Sequence, residues 1–346
     1  MRIVWIILVI ILALVVWRGL EFVSAAGFFR DLEPKELACV SVGGVIGPED
    51  VTIDRERTLA YLSGYDRRAA GRGEPQPGAI WTYDLSDPQA VPVNVTPWAD
   101  ETFLPHGISL HVDAKGVRRL FVVNHGGGRH TIEILEERGD IFEKVKTIHS
   151  EALRAPNDIT AVDATRFYVT NDHWYTEGHP LHAAEDFLGL PVTNVLYHDG
   201  ESLREVAGGL AGANGIHLTA DGSTVYVSAA RGGTVHVYER DPDTGGLEKR
   251  KSIKVPGLPD NIEPGQDGGI LVALHPKPLK LMAHFEDPET LSPSQVVRIN
   301  PASGAHSTLY LDLGEELSGA STAAVHENHL LIGAIAEPKF LDCVLE

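Results

Sequence analysis

Six times between residues 49 and 341, a loop leads into a short apolar run, and in five of the six a polar residue or pair ends the loop. A turn, a second β-rich run and a third strand then follow. The fourth copy shows the pattern best. Asn214-Gly215 opens it, Ile216-His217-Leu218 follows, Asp221-Gly222 makes the turn, and Thr224 to Val227 and Thr234 to Tyr238 complete it. The other copies open at Glu49-Asp50, His106-Gly107, Asn157-Asp158, Asp260-Asn261 and Gly319-Ala320, at intervals of 46 to 59 residues. A blade repeat of about 40–50 residues with room for loop insertions has this spacing. Short alternating strands without sustained helical periodicity predict an all-β chain, and six matched copies predict a six-bladed β-propeller. A β-sandwich is the runner-up; it explains the strands but not the six copies. No strand–helix alternation or Gly-rich phosphate loop supports a dinucleotide or nucleotide fold.

In such a ring, equivalent positions of each blade meet at one end of a central channel. The residues opening the copies are Glu49, His106, Asn157, Asn214 and the pair Asp260-Asn261, so five of six blades send a polar side chain to the same mouth. One Asn or Asp alone reads as a turn residue. Glu49, Asn157, Asn214, Asp260 and Asn261 together offer oxygen donors with a summed charge of −2, the requirement of calcium. Zinc would call for Cys or His donors. His106 shares that mouth and His125 follows the second strand of the same copy, so the two are the candidates for proton transfer. Gly319-Ala320-Ser321-Thr322-Ala323 faintly echoes a nucleophile elbow, but lacks the strand–turn–helix setting that motif needs.

Ile3 to Trp17 is an unbroken apolar run between Arg2 and Arg18, the mark of a signal peptide or signal anchor, assigned here to residues 1–26. The propeller hydrolase domain is assigned to 27–346. Entry into the secretory pathway would let Cys39 and Cys343, the chain's two cysteines, pair and tie the ends of the domain together. The net charge of −19 sets nucleic acid aside as a partner. The one glycosylation sequon, Asn94-Val95-Thr96, runs into Pro97.

The segments Gly47-Pro48-Glu49-Asp50, Pro105-His106-Gly107-Ile108-Ser109, Val122-Val123-Asn124-His125, Pro156-Asn157-Asp158-Ile159, Thr170-Asn171-Asp172-His173, Ala213-Asn214-Gly215-Ile216 and Asp260-Asn261-Ile262, in that order, resemble the paraoxonase family of calcium-dependent arylesterases and lactonases. The likeness runs from about Cys39 to Cys343. It implies a six-bladed propeller with two calcium ions in the channel. The catalytic ion would be held by Glu49, Asn157, Asn214, Asp260 and Asn261. The structural ion would be held by Asp50, Asp158 and the backbone carbonyl of Ile108. His106 and His125 match the family's histidine dyad, His173 and His275 match further histidines near it, and Cys39 with Cys343 matches its terminal disulfide. The family's leader is retained as an anchor. Phe187-Leu188-Gly189-Leu190 resembles part of its membrane-facing helix, which implies contact with a membrane or lipid surface. Two departures stand out. Leu274 replaces the family's free cysteine ahead of His275-Pro276, and the loop from Tyr65 to Pro77 is long, charged and Gly-rich.

The expected reaction is hydrolysis of a small ester or lactone, with promiscuous phosphotriester hydrolysis implied by the resemblance. Calcium would stabilise the oxyanion, and His106 assisted by His125 would deprotonate the attacking water. Asp260 is the alternative base or nucleophile. The other readings are a non-catalytic calcium-stabilised propeller that binds a partner, and a sugar-lactonase or strictosidine-synthase-like enzyme.

Overall fold

A computed structural model describes residues 2–25, 27 and 30–345. It contains six four-stranded antiparallel sheets, five of them formed from four consecutive strands. Their inner strands are Pro48–Asp54, Pro105–Val112, Pro156–Ala161, Ala213–Leu218, Leu258–Pro264 and Ala320–His326. Each inner strand touches those of the blades before and after it, and the sixth touches the first. The ring is closed and the predicted six-bladed propeller is the fold.

The sequence predicts three strands per blade; the structure has four. The missed outer strands, such as Leu247–Lys254, are largely exposed and charged, so they lack the apolar alternation that marks a half-buried strand. The sixth blade draws its outer strand from the other end of the chain. Ala38–Gly43 pairs with Lys339–Val344, which places Cys39 opposite Cys343, and the two form a disulfide.

Two-residue alternation explains the packing. In the second strand of blade 2, Leu120 and Val122 turn toward blade 1, while Phe121 and Val123 turn toward blade 3. The same division repeats around the ring, giving six buried apolar clusters, one for each blade-to-blade interface. Leu274 belongs to the cluster between blades 4 and 5. Its site takes an aliphatic side chain as core.

Among the described residues, α1 (Arg2–Ala25) precedes the strands, and α2 (Arg67–Gly71), α3 (His182–Leu188) and α4 (Pro278–Glu286) interrupt them. In α1, Arg2–Leu20 has a mean hydropathy of 2.8 and no buried residue, and is long and apolar enough to cross a membrane. The helix touches α3 and the loop at Ala230–Gly232. Helix α2 lies in the Tyr65–Pro77 loop, where Asp66 caps its first turn by accepting from the Ala69 amide at 2.8 Å.

Candidate metal centre and catalytic cavity

Every inner strand carries a register irregularity just after it starts, worth one extra residue against its partner. A bulge of this kind re-aims a side chain. The sequence reading put the site residues ahead of the inner strands. They lie inside them, at the bulge, because a strand without a bulge would turn alternate residues into the blade interfaces instead of the channel. The equivalent residues are Glu49, His106, Asn157, Asn214, Asp260 and Ser321. The first five line one cavity of about 330 Å³, which they share with Arg67, His125, Asp172 and His275. Ser321 is no nucleophile, since its buried hydroxyl donates to the carbonyl of Glu49 at 2.7 Å.

Four side-chain oxygens here are buried without a hydrogen-bond partner: Glu49 Oε2 and the Oδ1 atoms of Asn157, Asn214 and Asn261. Each such oxygen costs about 1–3 kcal/mol when left unsatisfied, and native interiors seldom keep even one. Four of them, all from the residues named as ligands of the catalytic ion, are the donor type that a hard cation would satisfy. The fifth, Asp260, accepts from Nε2 of His275 at 2.8 Å. Asn261 donates to Glu49 Oε1 at 3.0 Å and so braces the carboxylate across the ring. The residues present fit calcium.

The next residue along each strand forms a second layer. Asp50 accepts from the amide of Ile108 at 2.7 Å, and Asp158 from that of Ile216, also at 2.7 Å. Each carboxylate therefore reaches one blade onward. Gly107 and Gly215 make room: a Cβ on Gly107 would lie 2.5 Å from Cα of Asp158, and one on Gly215 would lie 2.5 Å from the carbonyl of Asp260. Burial and the neighbouring Glu49 charge push the Asp50 carboxyl up to about 8. Burial and the Asp50 charge push Asp158 well above its ordinary value. Two buried carboxyls that repel one another need a proton or a cation between them.

Three histidines form a chain that starts in the cavity wall at His106 and His125 and runs behind it to His130. His106 Nε2 lies 3.3 Å from Glu49 Oε1, its Nδ1 lies 2.6 Å from Nε2 of His125, and His125 Nδ1 lies 2.8 Å from Nδ1 of His130. Burial, then the His106 charge, lowers the His125 imidazole well below its usual range, so it is neutral at physiological pH. Burial opposes the charge on Glu49, but His106, Arg67 and Asn261 outweigh it and keep that carboxyl below its ordinary value. His275 sits against Asp260, as above. His173 lies outside the cavity wall and bonds to Asp172, which lines it.

His130 and Arg67 were missed from sequence. His130 stands in a turn, Gly126 to His130, with no repeat position to mark it. Arg67 comes from the charged loop already noted as a departure, and its Nη2 approaches Glu49 Oε2 to 3.9 Å.

Residues 70–345 match the arylesterase family. Serum paraoxonase/lactonase 3 of Oryctolagus cuniculus is 35% identical over 96% of this chain and 96% of its own length. The chain belongs to the arylesterase family. Serum paraoxonase/arylesterase 1 of Homo sapiens is 33% identical over 91% of each chain, and serum paraoxonase/arylesterase 2 of Gallus gallus is 32% identical over 93% and 94%. Among solved structures, a putative gluconolactonase superposes with a TM-score of 0.57 at 15% identity, covering 91% of this chain and 94% of that one. A luciferin-regenerating enzyme superposes with a TM-score of 0.56 at 12% identity, covering 90% and 96%. These two share the fold alone. The arylesterase match, not the propeller, separates this chain from sugar lactonases and from non-catalytic propellers. It is a member of a family of carboxylic ester hydrolases.

Proposed function

We propose that the chain hydrolyses carboxylic esters and lactones of small molecules in the channel-mouth cavity, with calcium held by Glu49, Asn157, Asn214, Asp260 and Asn261. The observation that carries this is the set of four unpartnered buried oxygens, three of them on residues that line one cavity with His106 and His125. Bound there, calcium supplies a Lewis acid that favours charge on a carbonyl oxygen. The chain's own groups do the rest. His106 takes the proton of the attacking water. His125, neutral and hydrogen-bonded to His106, orients that ring and passes charge toward His130. Asp260, hydrogen-bonded to His275, serves as a ligand; its role as alternative base or nucleophile is the weaker one because both the ion and His275 compete for it. A second, structural calcium ion between Asp50 and Asp158, with the Ile108 carbonyl, is supported by the mutual repulsion of those carboxyls.

The N-terminal helix serves as a signal anchor, and α3 beside it contacts the lipid surface. Its support is the length and exposure of α1, its contact with α3, and the exposure of Phe187. Hydrolysis of phenyl acetate and of a lipophilic lactone, with and without calcium, tests the central reading. Turnover of both that stops on chelation and returns with calcium is expected. Full turnover after calcium removal overturns it.

A further inference from the structure

Away from the channel, His173, His182 and Asp186 each bring one ligand atom within 4.8 Å of the others. His173 follows the second strand of blade 3. His182 and Asp186 stand four residues apart on α3 and share one face of it. Both rings turn Nε2 toward the Asp186 carboxylate, at 2.9 Å from His173 and 3.6 Å from His182. Both are fixed through the other nitrogen: Nδ1 of His173 lies 2.8 Å from Asp172 Oδ1, and Nδ1 of His182 lies 2.6 Å from the carbonyl of Tyr175. A carboxylate or carbonyl behind each imidazole is the arrangement that holds a metal-binding histidine in one tautomer with Nε2 free.

His173 sits between two carboxylates, with Nδ1 facing Asp172 and Nε2 facing Asp186. Arg231 donates Nε to Asp186 Oδ1 at 2.8 Å and brings Nη2 against the same Nε2. A proton and a guanidinium thus hold together the imidazole and carboxylate that a divalent ion would bridge, and the ion would take the place of both. We propose that His173, His182 and Asp186 form a site for a late first-row divalent ion such as zinc, distinct from the channel cations and taken up as Arg231 swings aside. Two imidazoles and one carboxylate suit zinc, whereas calcium prefers oxygen alone. The three side chains are only half-buried, which leaves a coordination position for water. An ion here would tie α3 to blade 3, one residue from the Asp172 that lines the catalytic cavity.

Titrating zinc chloride calorimetrically into the full chain at saturating calcium tests this. One zinc ion per chain is expected, and His182→Ala and Asp186→Asn should each weaken it at least about tenfold, since losing even a supporting residue behind a ligand costs 10–100-fold. Cobalt provides a second readout in the unaltered protein, an intense four-coordinate visible spectrum that zinc bleaches. No zinc uptake beyond calcium, uptake unchanged in both variants, or a cobalt spectrum like that of the free aqueous ion would each overturn the proposal.

Discussion

His106 presents its Nδ1 to Nε2 of His125 at 2.6 Å, while its Nε2 faces Glu49. One imidazole thus touches both a proposed calcium ligand and the histidine chain. Replacing His106 with Ala should lower kcat by ~10²-fold or more, the usual loss for a general base. His125→Gln, which keeps a polar contact, should cost less. Since His125 stays neutral well below 6.5, the ratio of wild-type to His125→Gln rates should hold steady as pH falls through 6.5, and should narrow only in more acid solution. A pH–rate comparison that tracks an ordinary imidazole would contradict this.

Removing calcium should expose the repulsion between Asp50 and Asp158. Asp50 has a folded-state pKa near 8, far above its unfolded value of 3.8. The unfolded chain loses that proton first, so the contribution of this carboxyl to the stability of the calcium-free protein should be largest in acid. It should then weaken as pH rises from about 4 toward 8. With calcium bound the trend should vanish. Melting curves at pH 5 and pH 8, with chelator and with calcium, read this directly; equal curves in chelator would refute it.

The two layers should separate by mutation. Asn214→Ala removes an unpartnered buried oxygen and should cut ester turnover ~10²-fold, comparable to losing a single oxyanion donor, with little change in melting temperature. With calcium present, Asp158→Asn should instead lower stability by ~1–3 kcal/mol, because one of the two amides its oxygens accept from would face an NH2 group; in chelator, the relief of repulsion with Asp50 should offset part of that loss. Denaturant melts and phenyl acetate assays on the same two proteins make the comparison.

Gly215 lies under the backbone of the next blade, so Gly215→Ala should push Asp260 and Asn261 aside. A loss of ~1–3 kcal/mol is expected from overpacking, together with weaker calcium binding measured by chelator competition. Gly71→Ala is the control, because nothing lies within 4 Å of a Cβ there. Matching behaviour of the two variants would show that the close approach does not matter.

The ring was legible because it repeats, and so was the shared cavity of Glu49, His106, Asn157, Asn214 and Asp260. A polar residue opening five of six copies is visible in one sequence, and so is the apolar alternation behind it. What was hidden does not repeat or has no side-chain signature. The bulges are backbone events. The glycines at 107 and 215 act by what they lack. The outer strands are too polar to alternate, and loops of irregular length bring Arg67 to the cavity and His130 to His125 behind it. The Cys39–Cys343 pairing was readable from position and compartment, and its 304-residue separation bears on stability.

Closing so long a loop restricts the unfolded chain by roughly 5–6 kcal/mol in the entropic model, which is a ceiling. Cys343→Ser should therefore lower stability by ~2–5 kcal/mol, measured by denaturant melts under non-reducing conditions. A variant as stable as the parent would show that strand pairing alone holds the sixth blade.

The shared sixth blade also sets when the enzyme can exist. Ala38–Gly43 leaves the ribosome early, yet its partner Lys339–Val344 is synthesised some three hundred residues later. Until then blade 1 lacks its neighbour, and Glu49 lacks the Ser321 hydroxyl that steadies its backbone. Newly made chains must wait with five blades translated before the ring can close, and the Cys39–Cys343 bond then ties the first and last strands together even if the chain between them is cut.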